Sequence, residues 1–280
     1  MSVHLETIHW WPGPPVGLPS NIVVVSATYN TRELVARLLW SLYRFARDHV
    51  RDVVIVDNGS SDGSLELLEA VASAGLCHVI RNERNRHHGP AITQAISHVA
   101  AMHQRAETRP WVWILDSDCM VARDDASAAM LEVATTRRAA LVGEPHWDPW
   151  NEQERIYGFS VLLDPAITWR ANIGGIEDSG DPIGEFERSC RERGVAAQAF
   201  PFTREGFVIH SGRATLAGVL ERGEAEHPLF DWAKDHHEPH FQGVSGARER
   251  YTELVEQFER AAGSGDTDAF IRACLGDEVA

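Results

Sequence analysis

Along residues 21–125, short uninterrupted apolar runs alternate with stretches whose apolar residues recur every three or four places. Ile22-Val23-Val24-Val25-Ser26-Ala27 and Val53-Val54-Ile55-Val56 are rich in β-branched residues, the pattern of strands buried on both faces. Between them Leu34, Val35, Leu38, Leu39 and Leu42 fall on one face of a helix, so the segment reads as a βαβ unit. Asn30 followed by Glu33 reads as a capping pair at that helix start. A turn-rich DNGSSDGS segment then feeds a second amphipathic helix through Leu65, Leu67, Leu68 and Val71, which Gly75 terminates.

The alternation continues with a strand at 78–80, a loop RNERNRHHGP, a helix over 91–104 and the strand WVWIL at 111–115. This order predicts a Rossmann-like α/β fold with a doubly wound, mostly parallel sheet. Beyond it the pattern is less regular. Strands are expected near 140–143, 159–163, 197–201 and 207–210, and a helix from Pro182, capped by Asp181, to Gly194. Residues 248–260 carry Tyr251, Leu254, Val255 and Phe258 at helical spacing, and a Gly-Ser-Gly at 263–265 precedes a terminal helix. The expected organisation is an extension over 1–20, one main domain over 21–225 with halves 21–125 and 126–225, and a loop with C-terminal helices over 226–280.

Composition narrows the function classes. With 44% hydrophobic and 24% charged residues, the chain has the balance of a folded globular protein. A formal net charge of -15 argues against nucleic acid as a partner, because phosphate neutralisation needs a basic surface. The first residues lack the basic and apolar regions of a signal peptide, and no run approaches the ~18 apolar residues of a membrane span. A cytoplasmic location is expected. The four cysteines, Cys77, Cys119, Cys190 and Cys274, are far apart and read as reduced thiols without a metal-binding spacing.

In an open α/β sheet, ligands bind beyond the carboxyl ends of the strands. Polar loops follow four strands here: Thr28-Tyr29-Asn30, Asp57 to Asp62, Asn85 to Gly89, and Asp116-Ser117-Asp118. Residues i and i+2 of an extended segment point to one side, so Asp116 and Asp118 can converge on one cation. Magnesium and manganese favour oxygen ligands of this kind. An isolated D-x-D is more commonly a solvated turn; its place at the end of a strongly apolar strand changes that weighting.

Taken in order, IVVVSATYN, VVIVDNGSSDGS, an Asn- and Gly-bearing loop before a helix, and WILDSD resemble the successive signatures of family 2 glycosyltransferases of GT-A fold. The resemblance implies a smaller mixed-sheet acceptor half and a metal-dependent, inverting transfer of a hexose from a nucleotide-diphospho-sugar, most commonly a UDP-sugar. It implies that Thr28 and Tyr29 contact the nucleotide and that Asp57 accepts a hydrogen bond from the base. Asp116 would lie towards ribose and metal, and Asp118 would bind the manganese or magnesium that bridges the phosphates. Asn85 and Gly89 would belong to the nucleotide site, although they are separated by three residues where the family's common pattern has one. Arg86 and His88 are further candidates for phosphate or sugar hydroxyls.

In GFVIHSGRATL, His210 resembles the late histidine that completes the metal site, with Arg213 a diphosphate candidate. An acidic residue before a helix in the second half would serve as base towards the acceptor hydroxyl. Asp178 and Asp181 both qualify, with Glu177 a competitor. The cluster Asp235, His236, His237, Glu238 and His240 lacks a zinc-protease spacing and reads as a loop over the acceptor, where Trp232 or Phe241 could stack on a sugar. The acceptor is open between a sugar, a lipid-linked compound and a small molecule, and a homodimer is open as well. The competing readings are a nucleotidyltransferase, which would want a glycine-rich loop where SATYNTRE stands, and a non-catalytic sugar-nucleotide binding module.

Overall fold

The computed structural model describes residues 22–104, 109–148, 152–164, 175–176, 182–210 and 269. A seven-stranded sheet runs through the molecule in the order β3-β2-β1-β4-β7-β6-β8. Its strands are β1 Ile22–Thr28, β2 Val50–Asp57, β3 His78–Arg81, β4 Trp111–Leu115, β6 Leu141–Asp148, β7 Gln153–Leu163 and β8 Ala197–Ala199. β1 lies parallel to both β2 and β4, and β2 lies parallel to β3. β7 runs antiparallel to β4 and β6, while β8 is parallel to β6. The mixed half is therefore an extension of the parallel sheet. A separate two-stranded antiparallel sheet pairs β5 Cys119–Val121 with β9 Val208–His210.

Helices cover both faces. α1 Arg32–Ser41, α2 Ser64–Ser73 and α4 Ala126–Arg137 serve one core, in which Leu34, Leu38, Leu67, Leu68 and Met130 pack with Trp113 and Phe202. α3 His88–Met102 and α5 Pro182–Glu192 serve the other, with Ile92, Ala95, Val99, Ile183 and Phe186 against Val23, Val25 and Ile114. Because β1 is buried at every position, its run of β-branched residues needs no polar face. A π-helical stretch, Leu42–Ala46, extends α1. Ser41 at their junction accepts a hydrogen bond from the backbone N–H of Val121 at 3.0 Å, which ties β5 to α1.

Gly75 does end α2: at φ 77 it lets its own N–H reach Ala72 O and the next N–H, of Leu76, reach Val71 O. The Asn30–Glu33 capping pair does not form. Asn30 is in the left-handed region at φ 54, and its side-chain oxygen accepts from the backbone N–H of Ser61 at 2.7 Å. Thr31 precedes the helix without a side-chain cap, and Glu33 instead pairs with Arg37 one turn on. The helix from Pro182 is present, whereas Asp181, the 248–260 helix and the terminal helix lie outside the described residues. Among the described residues no helix is long and apolar enough to cross a membrane.

Candidate active site

Parallel register aligns the strand ends. Thr28 is level with Asp57, and Asp57 with Arg81, so the first three polar loops rise from one edge of the sheet. The first two are laced together. Asp62 accepts from the backbone N–H of Arg32 through Oδ2 at 2.9 Å and from that of Ser64 through Oδ1 at 3.0 Å, with the Ser64 hydroxyl adding a third bond at 2.6 Å. One carboxylate thus serves the N-termini of α1 and α2. Gly59, at φ 81, has no room for a side chain, since a Cβ would stand 3.0 Å from the Cα of Arg84.

Asp57 is fully buried. Its Oδ1 accepts from the backbone N–H groups of Gly59 and Ser60, both at 3.1 Å. Its Oδ2 is shielded from solvent and has no hydrogen-bond partner among the described residues. Folded proteins rarely leave a buried carboxylate oxygen without a donor, so this atom keeps an unmet capacity to accept a hydrogen bond. Behind it, Asn82 donates to Asn58 Oδ1 at 2.9 Å and to Gln94 Oε1 at 3.1 Å, and Asn58 donates to the His87 carbonyl at 3.2 Å. These amides join the ends of β2 and β3 to the start of α3. Their pairing is not legible along the chain, because an asparagine in a loop carries no signal of which partner it meets.

The third loop is short and strained. Asn85 Oδ1 accepts from the backbone N–H of His87, itself at φ 65, and Gly89 is buried in the first turn of α3. Arg86 is exposed, whereas His88 points its Nε2 to within 3.6 Å of Asp116 Oδ1. Thr28 is buried, with its hydroxyl 2.7 Å from that of Thr31, which in turn lies 3.1 Å from the Ser117 hydroxyl. That chain couples the first loop to the D-S-D loop. Tyr29 is half-buried at the tip of the first loop.

Asp116 and Asp118 do converge, and pairing of distant strands adds a histidine. β9 lies antiparallel to β5 with His210 opposite Cys119. His210 Nε2 is then 3.4 Å from Asp118 Oδ1 and 3.8 Å from Asp116 Oδ2. The His210 ring stacks on Phe159, centroids 4.4 Å apart and planes 9° from parallel. Phe159 also accepts the Asp116 N–H through its carbonyl at 2.9 Å, so one residue of β7 holds both sides of the cluster.

Burial raises the Asp116 carboxyl above its usual range; His88 and His210 oppose the rise and the Asp118 charge adds to it. Burial alone would lower the His210 imidazole, but Asp118, by charge and hydrogen bond, together with Asp116 and Glu144, raises it above the ordinary 6.5.

Ligand atoms of Asp118, Cys119 and His210 lie within 4.8 Å of one another. Burial, with the Asp118 and Asp116 charges, holds the Cys119 thiol well above its usual value, and the thiol donates to the Phe159 carbonyl at 3.4 Å. A carboxylate and an imidazole are the better donors of the three, a set that suits manganese and accepts magnesium less readily. Glu177, Asp178, Asp181, Arg213, Trp232, Phe241 and the 235–240 cluster lie outside the described residues.

Comparison with solved structures gives the fold. The chain superposes on the mannosyltransferase PcManGT from Pyrobaculum calidifontis, solved with GDP-Man and Mn2+, with a TM-score of 0.52 at 18% identity, covering 95% of this chain and 83% of that one. It superposes on residues 1–349 of TarS from S. aureus with a TM-score of 0.50 at 14% identity, covering 91% and 88%. The architecture is the GT-A fold. Residues 23–178, more than half of the chain, match the family described as Glycosyl transferase family 2, and the chain belongs to that family. It is a glycosyltransferase that draws on a nucleotide sugar. No curated protein sequence matches it.

Proposed function

We propose that this enzyme is a metal-dependent, inverting hexosyltransferase that uses a UDP-sugar. The reading is carried by the meeting of Asp118 and His210 beside Asp116, at the same sheet edge as the unpartnered oxygen of Asp57. Asp118 and His210 would hold manganese or magnesium, with Asp116 beside them towards the ribose. A divalent cation there supplies charge neutralisation for the departing nucleoside diphosphate.

The base is read by Asp57. Its Oδ1 is already occupied by two backbone donors, which leaves one acceptor oxygen. One acceptor suits the single N–H of uracil; the adjacent N–H and NH2 of guanine would want two. Tyr29 offers its ring to the base, Thr28 shapes the wall beneath it, and Asn85 and Gly89 bring the start of α3 to the sugar-phosphate side. Arg213 meets the diphosphate. Asp178 or Asp181 takes the proton of the acceptor hydroxyl as it attacks the anomeric carbon from the face opposite the leaving group. Residues 21–125 thus form the donor half and 126–225 the acceptor half. Three buried, reduced cysteines accord with a cytoplasmic setting.

A panel of UDP-, GDP- and dTDP-sugars, with manganese or with chelator, tests this by thermal shift and release of nucleoside diphosphate. A stabilising shift and turnover with UDP-sugars, lost with chelator and in Asp118→Asn, are expected. Turnover that persists undiminished in chelator, or in Asp118→Asn, refutes the metal role, and preference for a GDP-sugar refutes the base assignment.

A further inference from the structure

Glu144 of β6 stands at a break in the sheet. The register with β7 passes from Gly143 with Val161 to Pro145 with Ile156, which sets Glu144 opposite the bulged residues Tyr157 to Ser160. Its side chain is nonetheless only 5% exposed, while that of Arg204, one of its partners, is 64% exposed. The carboxylate is met from outside by a single turn. Thr203 donates its backbone N–H to Oε2 at 2.6 Å and places its hydroxyl 2.9 Å from both oxygens, and Arg204 brings Nε to within 3.4 Å of Oε1. Arg204 also donates to the Pro145 carbonyl at 3.0 Å, so it grips the same strand twice.

That turn leads directly into β9. The N–H groups of Phe207 and Val208 both donate to the Phe202 carbonyl, at 2.8 and 3.0 Å, and the Phe207 carbonyl accepts from the Ala122 N–H at 2.9 Å, just past the end of β5. His210 then stands opposite Cys119. The chain from Thr203 to His210 is thus fastened at its start by Glu144, and at its end the His210 ring lies on Phe159, a residue of the bulge that Glu144 faces. Two points fix the place of the imidazole, one under the ring and one at the root of its strand. An uncharged side chain would close the turn at a lower desolvation cost than a buried carboxylate. The charge has a further effect, since it acts on His210 in the same direction as those of Asp118 and Asp116.

We propose that Glu144 is a positioning residue for the metal site, holding β9 so that His210 Nε2 stays within reach of the cation beside Asp118. This rests on the reading of Asp118 and His210 as metal ligands. It gives Glu144 no contact with the metal, because among the described residues the ligand atoms that come together belong to Asp118, Cys119 and His210. Residues that orient a ligand from behind change metal affinity about 10- to 100-fold when they are removed. The effect travels through the turn, so removing a donor of the turn acts in the same direction as removing Glu144.

Calorimetric titration of manganese into the full chain with UDP present, against a blank of UDP alone, gives the affinity. Nitrogen modulation in pulsed EPR reports whether an imidazole is bound to the ion. Glu144→Ala should weaken manganese binding about 10- to 100-fold and diminish the nitrogen modulation. Glu144→Gln, which keeps one acceptor oxygen for the Thr203 N–H, should fall between that variant and the wild type. Thr203→Val removes one surface donor and should weaken binding about threefold, which keeps the test open if Glu144→Ala does not fold. Glu187→Ala is the control for lost stability, because Glu187 is also buried but pairs with Arg191 within α5; it should lower Tm and leave manganese binding unchanged. Wild-type manganese affinity in Glu144→Ala, or in both Glu144→Gln and Thr203→Val, overturns the positioning role, as does an equal loss of affinity in Glu187→Ala at the same fall in Tm. A wild type that binds no manganese, or His210→Ala with wild-type affinity and nitrogen modulation, removes the metal reading itself, and the role of Glu144 with it.

Discussion

Asp62 is the sharpest place to test how the polar loops at the strand ends are held. Its three accepted hydrogen bonds satisfy the first free N–H of α1 and of α2, the two helices whose N-termini flank the Asp57 loop. Losing a helix N-cap costs about 1 kcal/mol, within a range of about 0.5–2. Two caps lost together in Asp62→Ala therefore predict about 2 kcal/mol. Asp62→Asn keeps one acceptor oxygen and should cost about half of that. At an unfolding entropy of about 2.1 cal/mol/K per residue, 2 kcal/mol in a chain this long lowers Tm by about 3–4 °C.

Urea titration followed by far-UV circular dichroism gives the comparison, with an unchanged slope showing that the midpoint shift is a stability change. Because Ser60 and Ser61 are braced by the same loop pairing through Asn30, half-saturation by UDP should worsen in Asp62→Ala as well. An Ala variant within about 0.5 kcal/mol of wild type, or an Asn variant as damaged as Ala, would refute the claim that one carboxylate serves both helices.

Three further outcomes follow from the geometry. Asp57→Ala should weaken UDP binding about 10- to 100-fold by calorimetry, since a hydrogen bond to a charged group is worth about 1.5–3 kcal/mol, and an unchanged affinity would remove the base-reading role. Gly59→Ala should destabilise by more than the ~1 kcal/mol typical of a point mutation, because it meets both an unfavourable φ and the Arg84 backbone; a neutral melting temperature would contradict the close approach. Burial lowers the His103 pKa from 6.5, Arg51 and His78 push the same way, and Asp52 only partly opposes them. The neutral ring is therefore the native form, its stability contribution is complete above pH 6.5 and declines as the pH falls, and His103→Gln should flatten part of that decline in denaturation midpoints; a steeper decline would mean that Asp52 dominates.

Much of residues 21–125 was legible because local rules suffice there. Strand type followed from unbroken β-branched runs, helices from apolar spacing, and the Asp116–Asp118 pair from alternation along an extended segment. WVWIL was read to the residue. Asn30 was misread for a physical reason: a capping residue is recognised by its neighbours in sequence, yet its side chain answered to Ser61 across a parallel strand pair. The double role of Asp62 is hidden for the converse reason, since D-G-S looks like an ordinary turn until α1 is packed beside it.

By itself the sequence determined the order of elements, the polar loops at the strand ends and the two carboxylates that point together. Tertiary structure alone decided what those carboxylates meet. β9 pairs with β5 across nearly ninety residues of chain, setting His210 against Asp118, while the bulge of β7 slides Phe159 under the imidazole and turns Tyr157 to the solvent beside it. Periodicity reports which face of an element is buried; contacts between elements far apart in the chain depend on sheet register, which only the folded packing specifies.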